Sequence, residues 1–162
     1  MNILILVDRY KPNPISGARM MEDLSVELIR RKHKVTVLST DHSLNQKYVK
    51  FDDDGVEVIK VNIGKINNPS KIIRTFIEAT LSYRVWAVTK KIFRKKKYDL
   101  IICYSPTIFW SGLISKLKSI QDTKVYLVLR DLFPHWLVDA KVISKFNPVY
   151  YYFLYMEKKL YS

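Results

Sequence analysis

Cysteine and glycine are both scarce in this chain of 162 residues, which contains one cysteine and four glycines. A single cysteine can form neither a disulfide framework nor a cysteine-ligated metal cluster. Cys103 lies within an apolar run, so we expect a buried thiol in a reducing compartment. The small disulfide-stapled class of secreted proteins is thereby excluded.

Glycine-rich phosphate motifs are also missing. Gly17 stands alone in the first loop, without G-x-G-x-x-G, so the sequence does not favour a dinucleotide oxidoreductase. There is no P-loop, nucleophile elbow or histidine–cysteine metal pattern. The three adjacent carboxylates of Asp52, Asp53 and Asp54 have no other ligand type at useful spacing, and a solvated turn is the better interpretation. No metal site is predicted.

Long apolar runs are lacking as well. The apolar run Ile3 to Val7 meets Asp8 and Arg9 at once, which is too short for a signal-peptide core. No other run approaches the length of a membrane-spanning helix. We therefore expect a cytoplasmic protein.

Acidic residues are few, and the formal net charge is +13. Such a charge predicts an anionic partner, whether nucleic acid, phospholipid head groups or a phosphorylated small molecule. No acid lies between Glu78 and Asp99, an interval rich in lysine and arginine. The basic side chains are concentrated at the end of one predicted helix: Lys90, Lys91, Arg94, Lys95, Lys96 and Lys97.

Hydrophobic periodicity predicts five strands alternating with helices, which is typical of a Rossmann-like, doubly wound parallel α/β sheet. The predicted strands begin at Asn2, Val35, Val56, Tyr98 and Lys124, with a turn over Phe51 to Gly55 before the third. Helices are predicted from Ser16 or Gly17 to Lys32, from Ser70 to Lys97, from Ile108 to Lys118 and over Trp136 to Lys141.

The last stretch differs from the rest. After Asn147-Pro148 the residues are apolar on nearly every side of a predicted helix, with a run of tyrosines from Tyr150 to Tyr152. One side of this helix is expected to meet a surface beyond the domain's own sheet. We divide the chain into a Rossmann-like domain (1–145) and an aromatic-rich helix (146–162), and expect a fragment or one subunit of a two-part protein.

Candidate binding residues follow the strands, because ligands bind at the carboxyl ends of parallel strands. Gly17 precedes the first helix, where backbone N–H groups can approach a phosphate, although a simple N-cap turn is equally consistent. Arg130 and Asp131 leave the fifth predicted strand; they could form a local salt bridge or a functional pair. His135 is the best placed of the three histidines, although a surface histidine is an even alternative.

Short motifs occur in order over nearly the whole chain: Asn2 to Val7, Tyr10-Lys11-Pro12, Ser16-Gly17-Ala18, Leu28 to Leu38, Tyr98 to Ile102, Ser105-Pro106 and Leu129 to Pro134. This ordered set resembles the N-terminal domain of a glycosyltransferase family 4 enzyme with the GT-B fold. The Arg-Asp-Leu-aromatic-Pro element resembles the subgroup that builds bacterial surface polysaccharides.

The resemblance implies a retaining glycosyltransferase that moves a sugar from a nucleotide-sugar donor, with no metal or other cofactor. This domain would be its acceptor side, inactive without a C-terminal GT-B domain or partner subunit. The implied roles are donor-phosphate binding by Ser16 and Gly17, orientation of the acceptor hydroxyl by Asp131 as the catalytic residue, and acceptor binding by Arg130, His135 and Ser105.

The sequence departs from the family pattern in three places. Ser16 replaces the first of two loop glycines, and Lys32 stands where a glycine usually precedes the helix-to-strand histidine. Lys32 is therefore expected to adopt a strained backbone conformation. His135-Trp136 replaces the usual Glu-Ser after the Arg-Asp-Leu-aromatic-Pro element.

A lipid-linked saccharide acceptor would require the enzyme to act at the inner face of the cell membrane. The basic helix end, Lys90 to Lys97, suits an anionic bilayer, and a solvated helix end is an equal alternative. Two rival functions remain: a non-catalytic, basic Rossmann-like binding module, and a subunit of a split glycosyltransferase. Nucleic acid is not expected as a partner, because aromatic and basic residues interleave in the last helix only at Lys158 and Lys159.

Overall fold

A mostly parallel sheet organises the chain in the computed structural model, which describes residues 1–64, 79–105, 108–130 and 133–161. Its strand order is β3-β4-β2-β1-β5-β6, and only the β3–β4 pairing is antiparallel. The strands are β1 (Asn2–Leu6), β2 (Lys34–Thr40), β3 (Tyr48–Asp53), β4 (Val56–Val61), β5 (Leu100–Tyr104) and β6 (Lys124–Val128).

Helices cover both faces of this sheet. Five α-helices and one 3-10 turn fall within the described residues: α1 (Ser16–Arg30), α2 (Leu81–Lys95), the turn Ile108–Trp110, α3 (Ser111–Ile120), α4 (His135–Asp139) and α5 (Pro148–Tyr161). The predicted Rossmann-like, doubly wound α/β class is confirmed.

Alternation along β1 divides the core into two layers. Ile3 and Ile5 pack with Met21 of α1 on one face, whereas Leu4 and Leu6 pack on the other face with the side chains of α2, α3 and α5. Helix α5 contributes Phe153, Met156 and Leu160 to this second layer. Its inner face therefore belongs to the core of the domain.

The prediction of a turn over Phe51 to Gly55 is wrong, because Phe51 to Asp53 form the end of an added edge strand, β3. The turn is confined to Asp54 and Gly55, whose φ angles are 52° and 85°. Positive φ at both central residues is the signature of a type I′ hairpin, for which Asp-Gly is a preferred sequence. The Asp-Gly pair was the overlooked signal, and the sheet consequently has six strands in the described ranges.

Other boundaries differ by a few residues. The helix predicted up to Lys97 ends at Lys95, and the strand predicted from Tyr98 begins at Leu100. The start predicted at Ser70 lies outside the described residues. Lys32 has φ 64°, which confirms the expected left-handed conformation at the position where the family pattern has glycine.

Candidate functional site

The candidate site lies at the carboxyl edge of the sheet, where the strand order reverses. From β1 the chain proceeds to β2 on one side, whereas β5 pairs on the other side of β1. A crevice forms at such a switch point because the connections after the two neighbouring strands diverge. The loop between β1 and α1 and the described residues after β5 and β6 lie at this edge of the sheet.

Arg130 connects three of these elements. Its Nη1 donates to Ser16 Oγ at the start of α1 and to Tyr104 Oη at the end of β5, both at 2.9 Å. Met20 Sδ lies 4.0 Å from the same nitrogen. The guanidinium of Arg130 is therefore held over the N-terminus of α1, and the sequence-predicted residues Arg130 and Ser16 are brought together.

The N-terminus of α1 presents an uncompensated positive dipole end. The N-cap residue Ile15 makes no side-chain capping bond, and the first turn contains no acidic residue. Amide groups in the first turn of a helix have no acceptor within that helix. Ser16 at this N-terminus is exposed and contacts Arg130, whereas Gly17 is buried against Tyr104. A helix N-terminus beside a guanidinium suits an anion such as a phosphate.

Gly17 packs directly against Tyr104. A Cβ at Gly17 would lie 2.7 Å from Tyr104 Cε1 and 2.9 Å from Tyr104 Oη, closer than real Cβ contacts allow. The lack of a side chain at Gly17 makes room for the Tyr104 ring, whose hydroxyl group then reaches Arg130. Sequence reasoning missed Tyr104, although a residue with a polar tip at the end of an apolar strand was an available signal.

Asp8 and Trp110 connect elements at the same edge of the sheet through hydrogen bonds. Trp110 is buried, and its Nε1 donates to Asp8 Oδ1 at 3.1 Å. The Asp8 carbonyl accepts from the amide and from the hydroxyl of Thr40, at 3.1 and 2.8 Å. Asp8 thus links β1, β2 and the turn after β5, a role that its position at the end of the first strand could have suggested.

Lys11 fixes the loop between β1 and α1. Its ammonium group lies 3.0 Å from Asp53 of β3 and 3.2 Å from Glu22 of α1. The hydrogen bond to Asp53 raises the pKa of Lys11 above its ordinary value, so the ion pair persists at neutral pH. Lys60 Nζ in turn donates to the Lys11 carbonyl at 2.5 Å. The loop that carries Ser16 is consequently tied to the sheet.

The remaining predicted site residues are differently placed. Ser105 is buried, and its amide donates to the Val128 carbonyl at 3.0 Å. Asp131, predicted as the catalytic residue, lies outside the described residues. The acceptor-binding role of Ser105 stays a prediction.

His135 faces the last helix. Its Nδ1 lies 3.3 Å from Tyr150 Oη, and its Nε2 lies 3.8 Å from Glu157 Oε2. Glu157 is buried and also accepts from Tyr161 Oη at 3.0 Å. These contacts tie α4 to α5, and the predicted acceptor-binding role of His135 stays a prediction.

The basic end of α2 lies at the opposite, amino edge of the sheet. Lys96 Nζ donates to Thr36 Oγ1 at 2.7 Å and to Glu57 Oε1 at 2.8 Å, which places it at the start of β2 and β4. Lys96 is therefore turned towards the sheet. The other members of the predicted membrane-surface set are exposed: Lys90, Lys91, Arg94, Lys95 and Lys97.

Two further features bear on cofactors and membranes. Within the described ranges, no group of three or more His, Cys, Asp and Glu side chains is arranged to hold a metal ion. In the same ranges, every helix is too short or too polar to cross a membrane.

Comparison with known proteins places the fold. No family model and no curated protein sequence matches the chain. The catalytic domain of starch synthase IV from Arabidopsis thaliana, bound to ADP and acarbose, is similar at TM-score 0.56 and 13% identity, over 78% of this chain and 33% of that one. The chain has a mostly parallel α/β sheet that matches a Rossmann-like half of a GT-B fold.

Two further structures extend the comparison. A trehalose-6-phosphate structure from E. coli, bound with UDP-2-fluoro glucose, is similar at TM-score 0.53 and 11% identity, over 98% of this chain and 38% of that one. The C-terminal domain of a Pyrococcus furiosus hydrogenase is similar at TM-score 0.55 and 13% identity, over 79% and 90%. The chain thus spans a third to two fifths of the sugar-related structures, and the likeness concerns the fold.

Proposed function

We propose that this chain is the N-terminal, acceptor-side domain of a retaining glycosyltransferase that acts in the assembly of a bacterial surface polysaccharide. The enzyme transfers a sugar from a nucleotide-sugar to a lipid-linked saccharide acceptor at the inner face of the cell membrane. A C-terminal GT-B domain or partner subunit supplies most of the donor site. The proposal combines the ordered motifs of the sequence with the fold and the crevice at the switch point.

One observation carries the proposal most strongly, namely the position of Arg130 over the N-terminus of α1. The diphosphate of a nucleotide-sugar is negatively charged, and its negative charge increases as the bond to the sugar breaks. A guanidinium and unpaired helix amides stabilise such charge without a metal ion. Arg130 serves this anion or the acceptor's phosphate, and Ser16 and Gly17 supply amides to the donor phosphates.

The crevice is shared between two halves in this proposal. Asp131 follows Arg130 directly in the sequence, and in this proposal it orients the acceptor hydroxyl. UDP-2-fluoro glucose, bound in one compared structure, is an analogue of the donor class that we propose, and ADP, bound in another, is a nucleoside diphosphate of the kind that such a donor releases. No resident cofactor is required, because the nucleotide-sugar is a substrate.

A non-catalytic binding module is the second candidate. The Pyrococcus furiosus hydrogenase domain has a similar fold over 90% of its own length, so this fold is not confined to the sugar-related structures. In this alternative the exposed side of α5 docks a partner, and Arg130 serves only a structural role. A subunit of a split glycosyltransferase would instead retain the catalytic roles given above.

The decisive experiment measures sugar transfer by the intact enzyme with Asp131 replaced. We expect Asp131→Asn to lower transfer about 100-fold or more, because a misplaced acceptor hydroxyl no longer meets the donor carbon. Asp139→Asn, a nearby exposed carboxylate, is the matched control and should leave transfer unchanged. Transfer close to the unmodified rate in Asp131→Asn would exclude the proposed role of this residue.

A further inference from the structure

Exposed aromatic side chains are concentrated in one stretch, residues 136–155, which we call the aromatic segment. Phe146 is 89% exposed in the loop before α5, and Tyr151 and Tyr155 are 59% and 60% exposed on the helix. Trp136 in α4 is also exposed. Single exposed apolar side chains are common on protein surfaces, whereas a cluster of them indicates a binding surface. The concentration of exposed aromatic side chains within these twenty residues is such a cluster.

The exposure follows from helix geometry and not from loose packing. Tyr151 and Tyr155 are four residues apart, so both lie on one outward face of α5. The opposite face is buried, and Phe153 packs edge-on against Phe109 with ring centroids 5.9 Å apart. Lys158, three residues after Tyr155, extends the outward face and is exposed. The helix is anchored while its tyrosines face outwards.

The aromatic and basic side chains of the segment indicate the kind of partner that it binds. Tyrosine and tryptophan have an apolar ring with a polar tip and favour the boundary between lipid and water. Exposed Lys141 and Lys145 precede Phe146 in the sequence, and the segment contains one acid, Asp139. Exposed aromatic side chains close to lysines have the composition of an interfacial anchor. We infer that the aromatic segment binds an anionic membrane surface.

The segment is also better placed than the basic end of α2. Phe133, three residues after Arg130, packs against Phe153 of α5 with ring centroids 5.1 Å apart, and against Trp136 at 6.3 Å. The segment therefore adjoins the carboxyl edge, whereas the end of α2 lies at the amino edge. A lipid-linked acceptor would reach the crevice from this side; that consequence rests on the proposed function, but the membrane contact does not.

Vesicle sedimentation of the 162-residue chain tests the inference, with phosphatidylcholine vesicles that contain or lack phosphatidylglycerol. We expect binding only to the anionic vesicles, with a decrease at high salt. The triple variant Phe146→Ser, Tyr151→Ser, Tyr155→Ser should bind at least about tenfold more weakly, because the inserted apolar surface is lost. These side chains are exposed, so the fold should persist, which circular dichroism verifies.

Matched variants separate this surface from its competitors. Tyr126→Ser removes a tyrosine that is similarly exposed on β6 and should leave binding unchanged. Lys141→Gln with Lys145→Gln should weaken binding about fivefold for each lysine, and more than the equally charged pair Lys90→Gln with Lys91→Gln. A larger loss from the α2 pair, or unchanged binding by the triple variant, would overturn the inference.

Absence of binding to anionic vesicles would also overturn it, and would leave the segment to a protein partner. The readout is independent of sugar transfer. Failure of vesicle binding with transfer still dependent on Asp131 refutes the membrane contact alone. If the enzyme binds vesicles and Asp131→Asn leaves sugar transfer unchanged, only the catalytic role of Asp131 is refuted.

Discussion

Basic side chains have different kinds of partner at the two edges of the sheet. At the carboxyl edge, Arg130 lies over a helix N-terminus that has neither a cap nor an acid in its first turn. At the amino edge, several basic side chains are paired. Glu27 lies 2.7 Å from Arg30 Nε and 2.7 Å from Arg31 Nε, and Glu57 lies 2.8 Å from Lys96. At the carboxyl edge Arg130 donates to the hydroxyl groups of Ser16 and Tyr104, whereas at the amino edge these basic side chains are paired with carboxylates.

The pKa values of two carboxylates at the amino edge reflect their pairing with basic side chains. Hydrogen bonds from Arg30 and Arg31 lower the pKa of Glu27 to about 2. Burial alone would raise the pKa of Glu57, but hydrogen bonds from Lys50 and Lys96 outweigh it and hold this pKa below the ordinary value. Part of the basic charge at the amino edge is therefore neutralised by nearby carboxylates, and the net charge of the chain alone does not show this pairing.

The largest effect is expected from Gly17→Ala at the carboxyl edge. The new methyl group would meet the ring of Tyr104, so we expect a destabilisation of about 1–3 kcal/mol in denaturant unfolding. Displacement of the ring would also remove the Tyr104 contact to Arg130. In a Tyr104→Val background the cost of Gly17→Ala should shrink, because the two residues are coupled.

Gly112→Ala is the control for this steric effect. A Cβ at Gly112 would lie 2.9 Å from Ser82 Cβ, on the helical layer away from the crevice. It should destabilise the fold to a similar degree without changing any response to phosphate. Equal costs of Gly17→Ala with and without Tyr104 would show that the ring contact does not constrain Gly17.

A smaller effect is expected from Lys96→Met at the amino edge. Loss of the hydrogen bonds to Glu57 and Thr36 should cost about 1–2 kcal/mol at neutral pH, whereas Lys95→Met, at an exposed site, should change stability by less than about 0.5 kcal/mol. Because the pKa of Glu57 is lowered by folding, its contribution is present above the ordinary glutamate value and is lost as the pH falls through the lowered one.

The pH dependence gives a second check on Lys96. The difference in unfolding free energy between the unmodified chain and Lys96→Met should be full at neutral pH and should shrink below about pH 4. A difference independent of pH would mean that Lys96 acts through packing on Tyr98, whose ring centroid lies 5.5 Å away, and not through Glu57.

Sequence periodicity predicted most of the fold because the strands of a parallel sheet are continuous apolar runs. It missed β3, since Lys50, Asp52 and Asp53 make an edge strand look like a loop, and only the Asp-Gly turn indicated the hairpin. The resemblance pointed correctly to Lys32, because a missing glycine at a left-handed position has a direct backbone consequence.

The site was harder to predict than the fold. Arg130 and Ser16 are 114 residues apart in sequence, and no local pattern reveals their hydrogen bond. The contribution of Tyr104 depends on the close approach of two elements, which periodicity cannot supply. Charge patterning likewise could not show that Lys96 turns towards Glu57, because the acid lies on a distant strand.

A titration with inorganic phosphate, followed at the backbone amides by NMR, tests most directly whether the carboxyl edge is the anion-binding edge. We expect saturable shifts at the Ser16 and Gly17 amides that are lost in Arg130→Gln and retained in Arg94→Gln, which replaces an exposed arginine of α2. Unchanged shifts in Arg130→Gln, or a response confined to the basic end of α2, would contradict it.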